Sequence, residues 1–132
     1  MITYLWIALG GALGTLARFA VSGAFARMVG ETFPWGTVVV NISGCFVIGV
    51  LATVTGPDGR VVVAPDLRQF MLIGFCGGYT TFSSFSLQTL NLIRNGEMMS
   101  AAGNTAISFA ACMLAVWIGA MAGQAFNQLR TG

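Results

Sequence analysis

Six cations and four anions are the only formal charges in this chain of 132 residues, and they leave it divided into long uncharged runs. The runs cover residues 1–17, 32–57, 69–93 and 98–129. A helix that crosses a hydrocarbon core of about 30 Å needs about 20 mostly apolar residues. The last three runs meet that length. The first meets it once Arg18 is held in protein or near the interface, as intramembrane charges usually are. A soluble domain carries roughly a quarter of its residues as charges, whereas here the charged fraction is 8% and the hydrophobic fraction 56%.

The pattern predicts an all-α membrane protein with four transmembrane helices per subunit, at residues 4–28, 34–56, 67–94 and 98–126. They form a single domain over 1–132. Gly56-Pro57-Asp58-Gly59 is a turn signal between the second and third helices. Pro34 suits a first helical turn. Tyr4, Trp6 and Trp35 lie near helix ends, where aromatic side chains match the membrane interface. The first segment is expected to be a retained helix rather than a cleaved leader, because it lacks a basic n-region and its apolar stretch is long.

Several function classes fit poorly. Proton-coupled transporters carry an ionisable relay inside the membrane, yet no Asp, Glu, Lys or His falls in a predicted span. Small four-helix drug antiporters depend on a buried carboxylate in the first helix, and this one offers only Arg18. No general base, paired nucleophile or metal-ligand cluster is present, so the chain is not expected to be an enzyme. Cys45, Cys76 and Cys112 are too dispersed for a disulfide framework and read as packing residues.

The arginines bear on orientation. With four spans, Arg60, Arg68 and Arg130 share one side and Arg27 and Arg94 the other. The positive-inside rule acts on that difference, and it is close to nil. Insertion in both orientations and an antiparallel dimer are therefore expected. The pairs Gly10/Gly14, Gly74/Gly78 and Gly119/Gly123 allow close helix approach, either within the chain or across a dimer interface.

Polar residues gather at mid-span. Thr37, Asn41 and Gly44 share a face of helix two. In helix three, Gly77-Gly78 followed by Thr80-Thr81 predicts an interruption near residues 77–80, since glycine and β-branched residues are poor helix formers. Broken helices at membrane depth expose carbonyls able to hold a cation. Phe82 and Phe85 share a face, and an aromatic ring edge carries the positive part of the quadrupole. Thr81, Ser84 and Gln88 form a polar stripe, and Asn104, Ser108 and Cys112 another on helix four. These stripes suit either an ion path or helix–helix hydrogen bonding.

Taken together, Gly10–Phe19 with its arginine, Trp35-Gly36-Thr37 leading to Asn41 and Gly44, and Gly74–Phe85 resemble the Fluc (CrcB) family of fluoride channels across nearly the whole chain. The resemblance implies an antiparallel homodimer in the cell membrane of a prokaryote, with two passive, fluoride-selective pores that lower cytoplasmic fluoride. It implies that Asn41, Phe82 and Phe85 line the pore, with Ser84, Thr81, Ser108 and Asn104 along the polar track. It further implies a structural sodium ion (Na+) at the dimer centre, held by the backbone carbonyls of Gly77 and Thr80. Arg18 matches the family's helix-one arginine, with a structural or vestibule role. Two positions depart from the pattern. Ser84 stands where threonine is frequent, and Asn104 stands where a tyrosine is frequent, so an amide replaces a phenol. Without the resemblance, the residues also fit a polar-lined pore for another small solute; a coupled transporter lacks the intramembrane carboxylate, and a membrane assembly factor leaves the mid-span polar cluster without a use.

Overall fold

The computed structural model describes residues 1–129. Arg130, which counts in the orientation argument, lies outside them. Helix α1 (Ile2–Val29) ends at Gly30, whose φ of 84° suits a residue without a Cβ. Helix α2 (Trp35–Val54) follows, with Pro34 just before its first turn rather than within it. A loop leads to α3 (Pro65–Gln69), which opens with proline at its first position. The chain continues as a π-helical stretch over Phe70–Cys76 and one turn of α-helix, α4 (Gly77–Tyr79). Thr80 and Thr81 are extended. Helix α5 (Phe82–Arg94) and helix α6 (Met98–Leu129) complete the described chain.

Three of these helices, α1, α2 and α6, are long and apolar enough to cross a membrane. Their outward faces carry Leu16, Phe19, Phe109 and Trp117, all largely exposed. In water, exposed apolar surface costs roughly 25 cal/mol per Å², so such faces belong against lipid or a partner. The chain is a multi-pass membrane protein.

Helix α2 is the centre of the bundle. Val38 and Val40 are 2% and 0% exposed, and α2 packs against α1, α6, the π-helical stretch and α5. The approach of α2 to α6 is set by glycines. A Cβ on Gly49 would strike the Val116 carbonyl, and one on Gly119 would strike the Phe46 carbonyl. On the other side, α1 lies against the π-helical stretch. A Cβ on Gly14 would come within 2.8 Å of the Tyr79 nitrogen, and one on Gly74 within 2.8 Å of the Ile7 carbonyl. All three glycine pairs read from the sequence are thus used for packing within the chain.

One end of the bundle is tied by polar contacts between loop and helix. Thr3 Oγ1 donates to Asp66 Oδ1 at 2.5 Å. Arg68 Nε donates to the Thr55 carbonyl at 3.2 Å. The Arg60 amide donates to Asn127 Oδ1 at 3.3 Å.

Candidate functional site

The site is built around the two extended residues between α4 and α5. Thr81 is the N-cap of α5: its hydroxyl oxygen accepts the Ser84 amide at 3.2 Å and its hydroxyl donates to Ser84 Oγ at 3.0 Å. Its own backbone is held by Asn41 from α2. Asn41 Nδ2 donates to the Thr81 carbonyl at 3.0 Å, and Asn41 Oδ1 accepts the Thr81 amide at 2.7 Å. A buried backbone group left unpaired costs about 1–3 kcal/mol, and one side chain here satisfies both.

The turn needs space on α2 as well. Gly44 provides it: a Cβ there would collide with the Thr80 methyl and lie 3.1 Å from the Tyr79 ring. The Tyr79 hydroxyl meets Ser43 Oγ at 2.9 Å. Sequence spacing put Thr37, Asn41 and Gly44 on one face, and that face receives the Tyr79–Thr81 segment.

Two carbonyls are released by this arrangement. In an uninterrupted helix the Thr81 amide would bond to the Gly77 carbonyl and the Ser84 amide to the Thr80 carbonyl. The first amide goes to Asn41 and the second to the Thr81 hydroxyl. Gly77 is exposed, with nothing in the chain within 4 Å of where a Cβ would stand. Its surroundings have room for an ion or another subunit, and oxygen donors suit a hard cation. These two carbonyls therefore fit the sodium reading.

Two cavities meet at Thr81, which lines both. The first, about 560 Å³, is the more polar of the two, with Arg18, Ser22, Thr37, Ser84 and Gln88 among its walls together with the carboxylates Glu31 and Glu97. Arg18 is half-buried, and its Nε donates to the Gly78 carbonyl at 3.1 Å. Gln88 Oε1 is buried without a hydrogen-bond partner among the described residues. The second cavity, about 510 Å³, is largely apolar and bounded by Asn41, Thr80, Phe82, Phe85 and Ser108. The Phe82 and Phe85 rings lie 5.3 Å apart, tilted by 48°, and Phe82 is 79% exposed. Helix α5 points its N-terminus at this junction and has no acidic residue in its first turn. Its unpaired amides and macrodipole make that end favourable to an anion.

The candidate residues read from the sequence are therefore divided. Asn41, Thr80, Thr81, Phe82, Phe85, Ser108 and Gly77 border the apolar cavity. Arg18, Ser84 and Gln88 border the polar one. Asn104 borders neither. It is 1% exposed, its Nδ2 donates to Thr89 Oγ1 at 2.8 Å, and its Oδ1 accepts from Ser108 Oγ at 3.4 Å. Its position on α6 faces α5, so its amide joins helices instead of facing open space. That Cys45 and Cys112 border one cavity was not foreseen, since the two are far apart in the chain. The cap at Thr81 was legible in principle, as a threonine three residues before a serine amide at a helix start.

A family model described as "CrcB-like protein, Camphor Resistance (CrcB)" matches residues 5–120. The chain is 56% identical to a protein of Methylocella silvestris named fluoride-specific ion channel FluC, over 96% of this chain and 97% of the other. It is 55% identical to a protein of the same name from Opitutus terrae, over 98% of each chain. For the one from Rhodospirillum rubrum the identity is 53%, over 96% of this chain and 98% of the other. Matches of this extent make the chain a member of the CrcB family.

Proposed function

We propose that this protein is a passive, fluoride-selective channel of the prokaryotic cell membrane. The observation that carries the reading is the junction at Thr81, where a polar cavity holding Arg18 meets an apolar cavity holding Phe82 and Phe85. Relatives named as fluoride-specific ion channels support the choice of ion.

Fluoride is small and strongly hydrated, so a path for it must replace lost water with close donors. Arg18 is the group that attracts anions in the more polar cavity, whose wall also carries Glu31 and Glu97, and its bond to the Gly78 carbonyl holds the cation at the wall. The Ser84 and Thr81 hydroxyls and the α5 N-terminus then offer hydrogen-bond donors. Beyond them, the Phe82 and Phe85 ring edges supply weaker attraction, suited to release as well as entry. Asn41 retains a second amide hydrogen for the ion, and Ser108 adds a hydroxyl. Asn104 acts from behind, by positioning Ser108.

Residues Pro65–Arg94 form the third of four spans in this reading, and Thr80-Thr81 is its mid-membrane break. Gly77 and Thr80 would hold sodium with their carbonyls, together with the same pair from an antiparallel partner. The ion would supply a fixed positive charge between two pores. Support for the dimer comes from the open space at Gly77 and the near balance of arginines on the two sides.

Fluoride efflux from liposomes, read with a fluoride electrode and repeated with chloride, tests the channel. Fast fluoride efflux without a proton gradient and little chloride flux are expected. Efflux that requires a proton gradient would instead mean coupled antiport. For the dimer, C-terminal reporter fusions should be active on both faces of the membrane, and activity on one face alone would rule out dual topology.

A further inference from the structure

We propose that Cys45 and Cys112 form a two-thiol site for a thiophilic divalent cation of linear, two-sulfur coordination, such as the mercuric ion. Cys45 belongs to α2 and Cys112 to α6, and the two helices bring both side chains to the wall of one cavity. Both are partly exposed and both face the apolar cavity beside Phe85.

Helix packing holds the pair together. Gly49 lies one turn beyond Cys45, and Val116 one turn beyond Cys112. A Cβ on Gly49 would strike the Val116 carbonyl and come within 3.0 Å of the Ala120 nitrogen. The two backbones are therefore pressed together one turn from the thiols, which holds the Cα atoms of Cys45 and Cys112 on neighbouring helices at the same level.

Charge decides which cation fits. The cavity wall contains no Asp, Glu, Lys or Arg, so a net charge placed there would be costly. Two thiols and a dication give a neutral bis-thiolate: two S–H bonds break, two metal–sulfur bonds form, and two protons leave to water. A monovalent ion bound by two thiolates would leave a negative charge. Zinc requires four ligands, and among the described residues no three His, Cys, Asp or Glu side chains converge. Cys76 borders the same cavity but is 2% exposed, and it stays outside the pair.

A cation here would sit in the wall of the fluoride path and obstruct it, a consequence that rests on the channel reading above. The test uses the reconstituted full-length protein and mercuric chloride at one equivalent per subunit. Free thiols should fall by two per mercury in the wild type and in Cys76→Ser, and by one in Cys45→Ser and Cys112→Ser. Fluoride efflux should drop at least tenfold in wild type and recover with dithiothreitol, while the Cys45 and Cys112 variants need at least a hundredfold more mercury. Loss of one thiol per mercury in the wild type, or of two in either Cys45→Ser or Cys112→Ser, overturns the site. If untreated protein conducts no fluoride, the channel reading fails, and the thiol count still decides the site.

Discussion

Asn41 and Thr81 are joined by two hydrogen bonds that use both polar atoms of the amide and both polar groups of the Thr81 peptide backbone, at 3.0 and 2.7 Å. The pairing imitates the edge of a β-ladder inside a helical protein. It supplies Thr81 with the partners that a continuous helix would have supplied, and so allows the chain to stay extended between α4 and α5. It also frees the Gly77 carbonyl. The position of the junction, the direction of α5 and the availability of that carbonyl all depend on this one side chain.

Asn41→Ala removes both partners at once. Each buried backbone group left without one costs about 1–3 kcal/mol. The variant should lose thermal stability in detergent and lose fluoride flux with it. Asn41→Asp is the sharper test. Its carboxylate still accepts the Thr81 amide but faces the Thr81 carbonyl with no hydrogen to donate, and it repels an approaching anion. Flux should fall at least a hundredfold in Asp. Efflux equal to wild type would remove Asn41 from the path.

Glycine substitutions separate packing within the chain from contacts beyond it. Gly14→Ala places a Cβ within 2.8 Å of the Tyr79 nitrogen and closer still to the Phe75 carbonyl. Neither backbone can yield, and overpacking of this kind costs about 1–3 kcal/mol or more. Gly103, by contrast, has nothing within 4 Å of its Cβ position. Gly103→Ala should stabilise α6 by about 0.5–1 kcal/mol through helix propensity alone. Melting curves of the two variants in one detergent would show opposite shifts.

Gly77→Ala probes the proposed assembly. The chain itself has room for the methyl group, since nothing lies within 4 Å, and Gly77 is already helical. A lone subunit should therefore fold as well as wild type. Weakened dimerisation in size-exclusion chromatography, with reduced flux, is expected if a partner and an ion face this surface. An unchanged dimer with unchanged flux would move the interface elsewhere.

The three long apolar helices were legible because hydropathy needs no tertiary information: an uncharged run of sufficient length has one stable conformation in lipid. The segment at 67–94 was harder. The expected interruption near residues 77–80 rested on the glycines and the threonines together, yet Gly77 and Gly78 are helical, and Gly78 serves close approach, its Cβ position 3.0 Å from Gly11 Cα. The extended residues are Thr80 and Thr81, fixed by Asn41 from 40 positions away, and local propensity cannot register so distant a partner. The π-helical winding of Phe70–Cys76 left no signal in composition. Asn104 failed as a cavity residue for a related reason. Its spacing with Ser108 was read correctly, but the direction of that face depends on Thr89 of another helix.

The phenylalanine pair gives the clearest separation of function from stability. Phe82 is 79% exposed within the chain and touches Phe85 at a centroid distance of 5.3 Å. Its replacement should cost little folding energy, since substitutions at exposed positions usually stay within about 0.5 kcal/mol. Isoleucine keeps an apolar side chain there but has no ring edge to offer an anion. Phe82→Ile should therefore reduce fluoride efflux at least tenfold while leaving the melting temperature and the size-exclusion profile unchanged. Phe85→Ile should show the same loss of flux with a somewhat larger loss of stability, because Phe85 is half-buried. If the rings serve only to pack α5, the outcome reverses: Phe82→Ile conducts like wild type, and any defect in Phe85→Ile follows its melting temperature.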